Sequence, residues 1–132
     1  MSYTHSISEN ITYTAGQSVT RIVQTFSQTA GAEANVSESF TDATDALVDF
    51  TLDVSQLKSL VMYSEGGDIT VETNDGTTPG DTINLVSGQY TVYSAASGSG
   101  TSNPFSTDVT SLYITNTGTA SLVIRALYDP TV

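Results

Sequence analysis

The side chains that most often carry catalysis are scarce in this chain. It has one His, His5, no Cys, no Trp and three basic residues, Arg21, Lys58 and Arg125, among 132 residues. Proton transfer near neutral pH, thiolate attack, soft-metal ligation and phosphate clamping rest mainly on His, Cys, Lys and Arg, so few catalytic routes are open. A Ser, His and Asp triad would have to use His5, which lies in a polar amino-terminal stretch, and the chain has no Gly-x-Ser-x-Gly elbow. A glycosidase pair needs two carboxylates with one held in a pKa-raising setting. The best-spaced pair, Asp49 and Asp53, reads instead as a solvated strand face. No enzyme activity, catalytic residue or cofactor is expected.

Hard oxygen ligands are abundant, which raises calcium. The two richest clusters are Asp42-Ala43-Thr44-Asp45 and the loop running from Asn74-Asp75-Gly76 to Asp81. Neither matches the twelve-residue calcium loop with its closing Glu, and turn-forming Asp and Asn account for both, so no metal site is assigned. Seven Tyr without Trp raise carbohydrate binding through ring stacking. Tyr90 and Tyr93 have opposite strand parity, so at most one of them faces solvent, and strand Tyr is commonly half-buried with its hydroxyl reaching out.

The elements that would carry these residues are strands. Ser and Thr make up about forty residues of the chain, a bias that suits half-exposed pleated surfaces and tight turns. Apolar residues recur at period two. Ile7, Ile11 and Tyr13 share one parity, Ala15-Gly16-Gln17 reads as a turn, and 18–29 places Val19 and Val23 on one face with Ile22 and Phe26 on the other. Ala34, Val36, Glu38 and Phe40 alternate weakly. In 46–54, Ala46, Val48, Phe50, Leu52 and Val54 point inward as a core strand. Asp53-Val54-Ser55-Gln56 has capping-box spacing for a short helical turn. Gly-centred turns at 65–68, 87–89 and 117–119 each join two strands in a hairpin pattern. The stretch 95–104 is of low complexity and reads as an exposed loop. The segments around 59–71 and 111–124 echo one another as strand, Gly turn, strand.

This pattern predicts an all-β fold, an antiparallel β-sandwich or jelly-roll-like barrel of eight or nine strands. Residues 1–14 are expected to form an N-terminal arm or edge strand, and 15–132 a single β-sandwich domain. The formal net charge of −11, from 14 acidic and 3 basic residues, leaves no cationic footprint for nucleic acid or an anionic membrane surface. The longest unbroken apolar run, Leu60-Val61-Met62-Tyr63, is far too short for a membrane-spanning helix. The opening Met1-Ser2-Tyr3-Thr4-His5-Ser6 lacks the basic and apolar regions of a secretory signal, and the lack of Cys fits synthesis in a reducing cytoplasm.

The stretches Leu57-Lys58-Ser59-Leu60-Val61-Met62-Tyr63-Ser64 and Ile69-Thr70-Val71-Glu72-Thr73-Asn74 resemble small β-sandwich virion proteins of tailed bacteriophages. So do Asp108-Val109-Thr110-Ser111-Leu112-Tyr113-Ile114-Thr115-Asn116 and Leu122-Val123-Ile124-Arg125-Ala126-Leu127-Tyr128-Asp129. The resemblance implies a non-enzymatic capsid decoration, or cement, subunit on the virion surface. Such a subunit is often a homotrimer, needs no cofactor, and is made in the host cytoplasm to bind the major capsid protein or another virion protein. A tail or baseplate component, or a carbohydrate- or receptor-binding module, is the alternative. Under the cement reading, Tyr3, Ile7, Ile11 and Tyr13 are the candidate partner-binding residues, carried on an arm able to add to a neighbouring sheet edge.

Overall fold

The computed structural model describes residues 3–96 and 101–129 and, within its first two strands, leaves the side chains of Glu9, Ile11, Tyr13, Ser18, Thr20, Arg21 and Ile22 undescribed. The fold is all-β and antiparallel. β1 (Tyr3–Ala15) and β2 (Ser18–Ala30) form a separate two-stranded ribbon, in register from Tyr3 opposite Ala30 to Ala15 opposite Ser18. Gly16, with φ of 61°, takes the first position of the two-residue turn, where a type II′ hairpin requires a positive φ.

The remaining strands are β3 (Ala32–Thr41), β4 (Ala46–Val48), β5 (Leu57–Glu65), β6 (Ile69–Thr73), β7 (Thr82–Leu85), β8 (Tyr90–Ser94), β9 (Leu112–Asn116) and β10 (Thr119–Tyr128). They form two four-stranded sheets, sheet I with order β3-β10-β5-β8 and sheet II with order β4-β9-β6-β7. The pairing is nested: β3 with β10, β4 with β9, β5 with β8, and β6 with β7. One long antiparallel ribbon, folded at the β6–β7 loop, has thus been rolled so that β10 also meets β5 and β9 also meets β6. That is a jelly roll. With β1 and β2 the described strands number ten, eight in the jelly roll and two outside it.

The inner faces alternate as the sequence predicts. Leu60 and Met62 of β5, Leu122 and Ile124 of β10, Ile69 and Val71 of β6, and Leu112 and Ile114 of β9 are all buried in one core, each worth roughly 1.5–3 kcal/mol on transfer from water. The expected strand at 46–54 keeps its inward row, with Val48, Phe50 and Leu52 buried, but pairs only over β4 and through a lone bridge from Leu52 to Val109. Next comes a single 3-10 turn, Val54–Gln56, where Asp53 occupies the N-cap without a side-chain cap bond. The Asp53 carboxylate instead accepts from Ser55 Oγ at 2.8 Å.

The three Gly-centred turns are not hairpins. β5 and β6, β7 and β8, and β9 and β10 each lie in different sheets, so Gly66, Gly88 and Gly118, all at positive φ, turn corners between layers. A corner and a hairpin demand the same turn residues and leave the same alternation, since both flanking strands face one core. The hairpin of this region is instead the longer β6–β7 loop, residues 74–81.

Asn116 ties the corner to the start of the roll. Its Oδ1 accepts from Ala43 N at 2.9 Å, and its Nδ2 donates to Phe40 O and Gly118 O at 3.0 and 3.1 Å. Replacing the amide by a carboxylate removes the donor to the buried Phe40 carbonyl as well as that to the Gly118 carbonyl, so Asn116→Asp is expected to cost about 2 kcal/mol and lower the melting temperature by several degrees. At the free edge of sheet I, Glu38 shares the inward parity of Val36 and Phe40 and stands opposite Leu122, yet remains exposed. An inward-pointing charge on an edge strand blocks another strand from docking there. Glu38→Val is therefore expected to raise the mass seen in light scattering above that of the parent protein, which keeps this edge to itself.

Candidate functional site

The ribbon has two unlike faces. Thr4, Ser6 and Ser8 of β1 stand opposite Thr29, Ser27 and Thr25 of β2, and their hydroxyls bond in pairs at 3.0, 3.2 and 3.0 Å. This face looks away from the roll. On the other, Ile7 stands opposite Phe26, both half-buried, and Ala30 is buried. That face lies against the outer surface of sheet I, where Ile7 approaches Val61 of β5.

Two openings flank this contact. One, of about 370 Å³, is lined by Thr4, His5, Ser6, Ile7, Val61 and Arg125. Here His5 Nε2 donates to Glu33 Oε1 at 3.0 Å, and the other oxygen of Glu33 accepts from Asn35 Nδ2 at 3.1 Å. Arg125 Nη1 donates to the carbonyls of Val36 and Ile124, each at 3.1 Å. The second opening, of about 580 Å³, lies between β1 and β8, with Ile7, Ser8, Asn10, Val61, Gly88, Gln89, Tyr90 and Val92 around it. Tyr90 is 66% exposed and its ring meets that of Tyr63 at 4.8 Å between centroids, tilted by 56°. Tyr93 is half-buried, so the parity rule holds and Tyr90 is the solvent-facing member of the pair.

Beyond these contacts the ribbon reaches outward. Thirteen residues of extended chain span about 44 Å, and every described side chain in residues 10–25 is exposed. Of the sequence candidates, Tyr3 lies at the ribbon's base with 36% exposure and Ile7 in the seam. The side chains of Ile11 and Tyr13 lie outside the described residues, although their backbones pair with Ile22 and Thr20. All four occupy one register row of β1, and β1 is paired with β2 throughout. Val19 and Val23, on the outward face, are 62% and 60% exposed.

The acidic clusters are engaged in turns. Asp42 Oδ1 accepts from Gly118 N at 2.7 Å, Asp75 Oδ1 from Thr77 N at 2.8 Å, and both oxygens of Asp81 from Ser106 at 2.7 and 2.8 Å. Among the described residues no three His, Asp or Glu side chains gather at one point. The low-complexity loop at 95–104 falls partly outside the described residues, which omit 97–100. The seam is hard to read from sequence because its parts, residues 7–10, 61 and 88–92, come from three distant segments. One signal was available: Leu122-Val123-Ile124-Arg125-Ala126-Leu127 is apolar on both parities but for Arg125, as a strand covered on both faces must be.

Cutting the His5–Glu33 link should loosen the ribbon selectively, because a half-exposed pair contributes little to the global fold. In Glu33→Ala, amide exchange is expected to speed up in residues 3–8 and 25–30 and to stay unchanged in β5, β6, β9 and β10. Equal acceleration everywhere would mean that ribbon and roll open as one unit.

No family model, characterised protein or solved structure matches the chain.

Proposed function

We propose that the protein is a non-enzymatic structural subunit of a tailed-phage virion that decorates and braces the capsid shell, its jelly roll serving as scaffold and its ribbon as grip. The observation that carries this reading is the ribbon itself, two strands of thirteen residues standing outside both sheets with only each other as strand partners. An unpaired strand edge offers main-chain hydrogen bonds to another protein, and side chains beside it supply selectivity. Jelly rolls recur as building blocks of virus shells. The scarcity of catalytic side chains and the resemblance of the second half to phage virion proteins point the same way. Fold alone does not choose among such roles; the appendage favours assembly.

Mixed with undecorated capsid shells, the full chain is expected to cosediment with them and to occupy local symmetry axes in electron micrographs, with three chains per particle of free protein in light scattering. Val19→Glu with Val23→Glu places two charges on the outward face of the ribbon, away from the core. This double variant is expected to melt as the parent does and to lose more than about tenfold in shell affinity. Shells left bare by the parent protein would refute the reading.

A further inference from the structure

We infer that the groove between β1 and the outer face of β8 binds a neutral glycan, with the ring of Tyr90 as its stacking platform. A sugar ring presents an apolar C–H face and a rim of hydroxyls that both donate and accept hydrogen bonds. A site for it needs an exposed aromatic face beside uncharged polar groups. Tyr90 supplies the face: at 66% it is the most exposed of the large apolar side chains described. Its contact with Tyr63 fixes the ring's attitude, so little conformational freedom is lost when a ligand stacks on it. Val61 and Val92 form an apolar floor.

The rim has the matching chemistry. Gln89 from the β7–β8 corner flanks the opening, and its amide offers two donors and a carbonyl acceptor; Ser8 and Asn10 border the opening along the ribbon edge. Gly88, at φ of 84°, has no atom within 4 Å of where a Cβ would sit, so the corner leaves the mouth open. The volume of about 580 Å³ falls within the range of small-molecule sites.

Charge selects among sugars. Of the 14 acidic and 3 basic residues, none lines this groove, so the lining neither pairs with nor requires a charged ligand. The surrounding field of a chain at −11 disfavours sialylated or uronic chains. The groove exists only because the ribbon lies on sheet I; a bare jelly roll would present Tyr90 on an open face. Glycan binding here goes beyond the virion reading and stands or falls separately from it, since shell binding is assigned to the outward face and edges of the ribbon.

The test begins with the labelled full chain on a printed array of neutral and sialylated glycans, followed by calorimetric titration with the strongest neutral hit. Expected is a neutral glycan whose affinity falls about tenfold or more in Tyr90→Ala, is kept in Tyr90→Phe and falls severalfold in Gln89→Ala. All three variants should melt as the parent does, since Tyr90 and Gln89 are exposed. Sialylation of the same glycan should weaken it. Absence of any neutral hit, a hit indifferent to Tyr90→Ala, or a preference for the sialylated form would overturn the proposal. So would Tyr90-dependent binding of extended peptides from a display library with no glycan bound.

Discussion

The fold depends on the double pairing of β10. This last strand of the roll holds β3 on one side, from Thr119 opposite Thr41 to Tyr128 opposite Ala32, and β5 on the other. Its inward residues Leu122, Ile124 and Ala126 are fully buried. The ribbon of strands closes only when the last strand meets the first, so loop-closure entropy is spent across most of the chain before these contacts form. Folding should accordingly be slow and governed by topology rather than by local propensity. Asn116 sits where that closure is completed, joining the β9–β10 corner to the end of β3 and the loop after it through two side-chain hydrogen bonds and bracing the corner through a third, to Gly118 O.

Sheet I is covered on both faces at one end, and this has a local cost. Leu127, Ser59 and Ser94 belong to its outer register row, yet all are buried at the end where the ribbon joins β3. β5 carries a buried hydroxyl without a partner on each face, Ser64 toward the core and Ser59 on the outer side. Each costs about 1–3 kcal/mol relative to a satisfied or apolar neighbour. Ser94, beside Ser59, exchanges hydrogen bonds with Thr101, so the loop after β8 takes part in the cover. The outer face is therefore packed at this end, while Asn35, Ser37, Ser39, Arg125 and Tyr90 of the same face stay exposed.

Much of this was legible in the sequence, and the limits have physical causes. The strand spans, the turn at Gly16, the inward row of Val48, Phe50 and Leu52, and the single exposed ring among Tyr90 and Tyr93 follow from period-two alternation and turn chemistry, which are local. Partner choice is not local. Glu65-Gly66-Gly67-Asp68 fits a hairpin as well as a corner, and only the nested ladders, which join residues as far apart as Ala32 and Tyr128, decide for the corner. Residues 1–14 read as an arm or edge strand because their alternation shows a strand and leaves its partner open; the structure pairs β1 with β2 along its whole length. The Tyr90 groove is one step further removed, since it forms between two units of the fold and leaves no periodic trace in either.

The distribution of guarded and unguarded edges assigns the two kinds of surface to different parts of the molecule. In the roll, β4, β7 and β8 are edges of three, four and five residues, short templates for another strand, and β3 is guarded by Glu38. The ribbon has no such device of comparable strength. Its thirteen-residue strands lack Pro, hold no interior Gly, and carry Glu9, Arg21 and the seam residue His5 as their only titratable side chains apart from Tyr3 and Tyr13. A chain whose net charge opposes self-association over most of its surface thus concentrates its capacity for strand-mediated contact in the segment that stands furthest from the core. Stability resides in the closed roll, and the ribbon can meet other molecules without opening it.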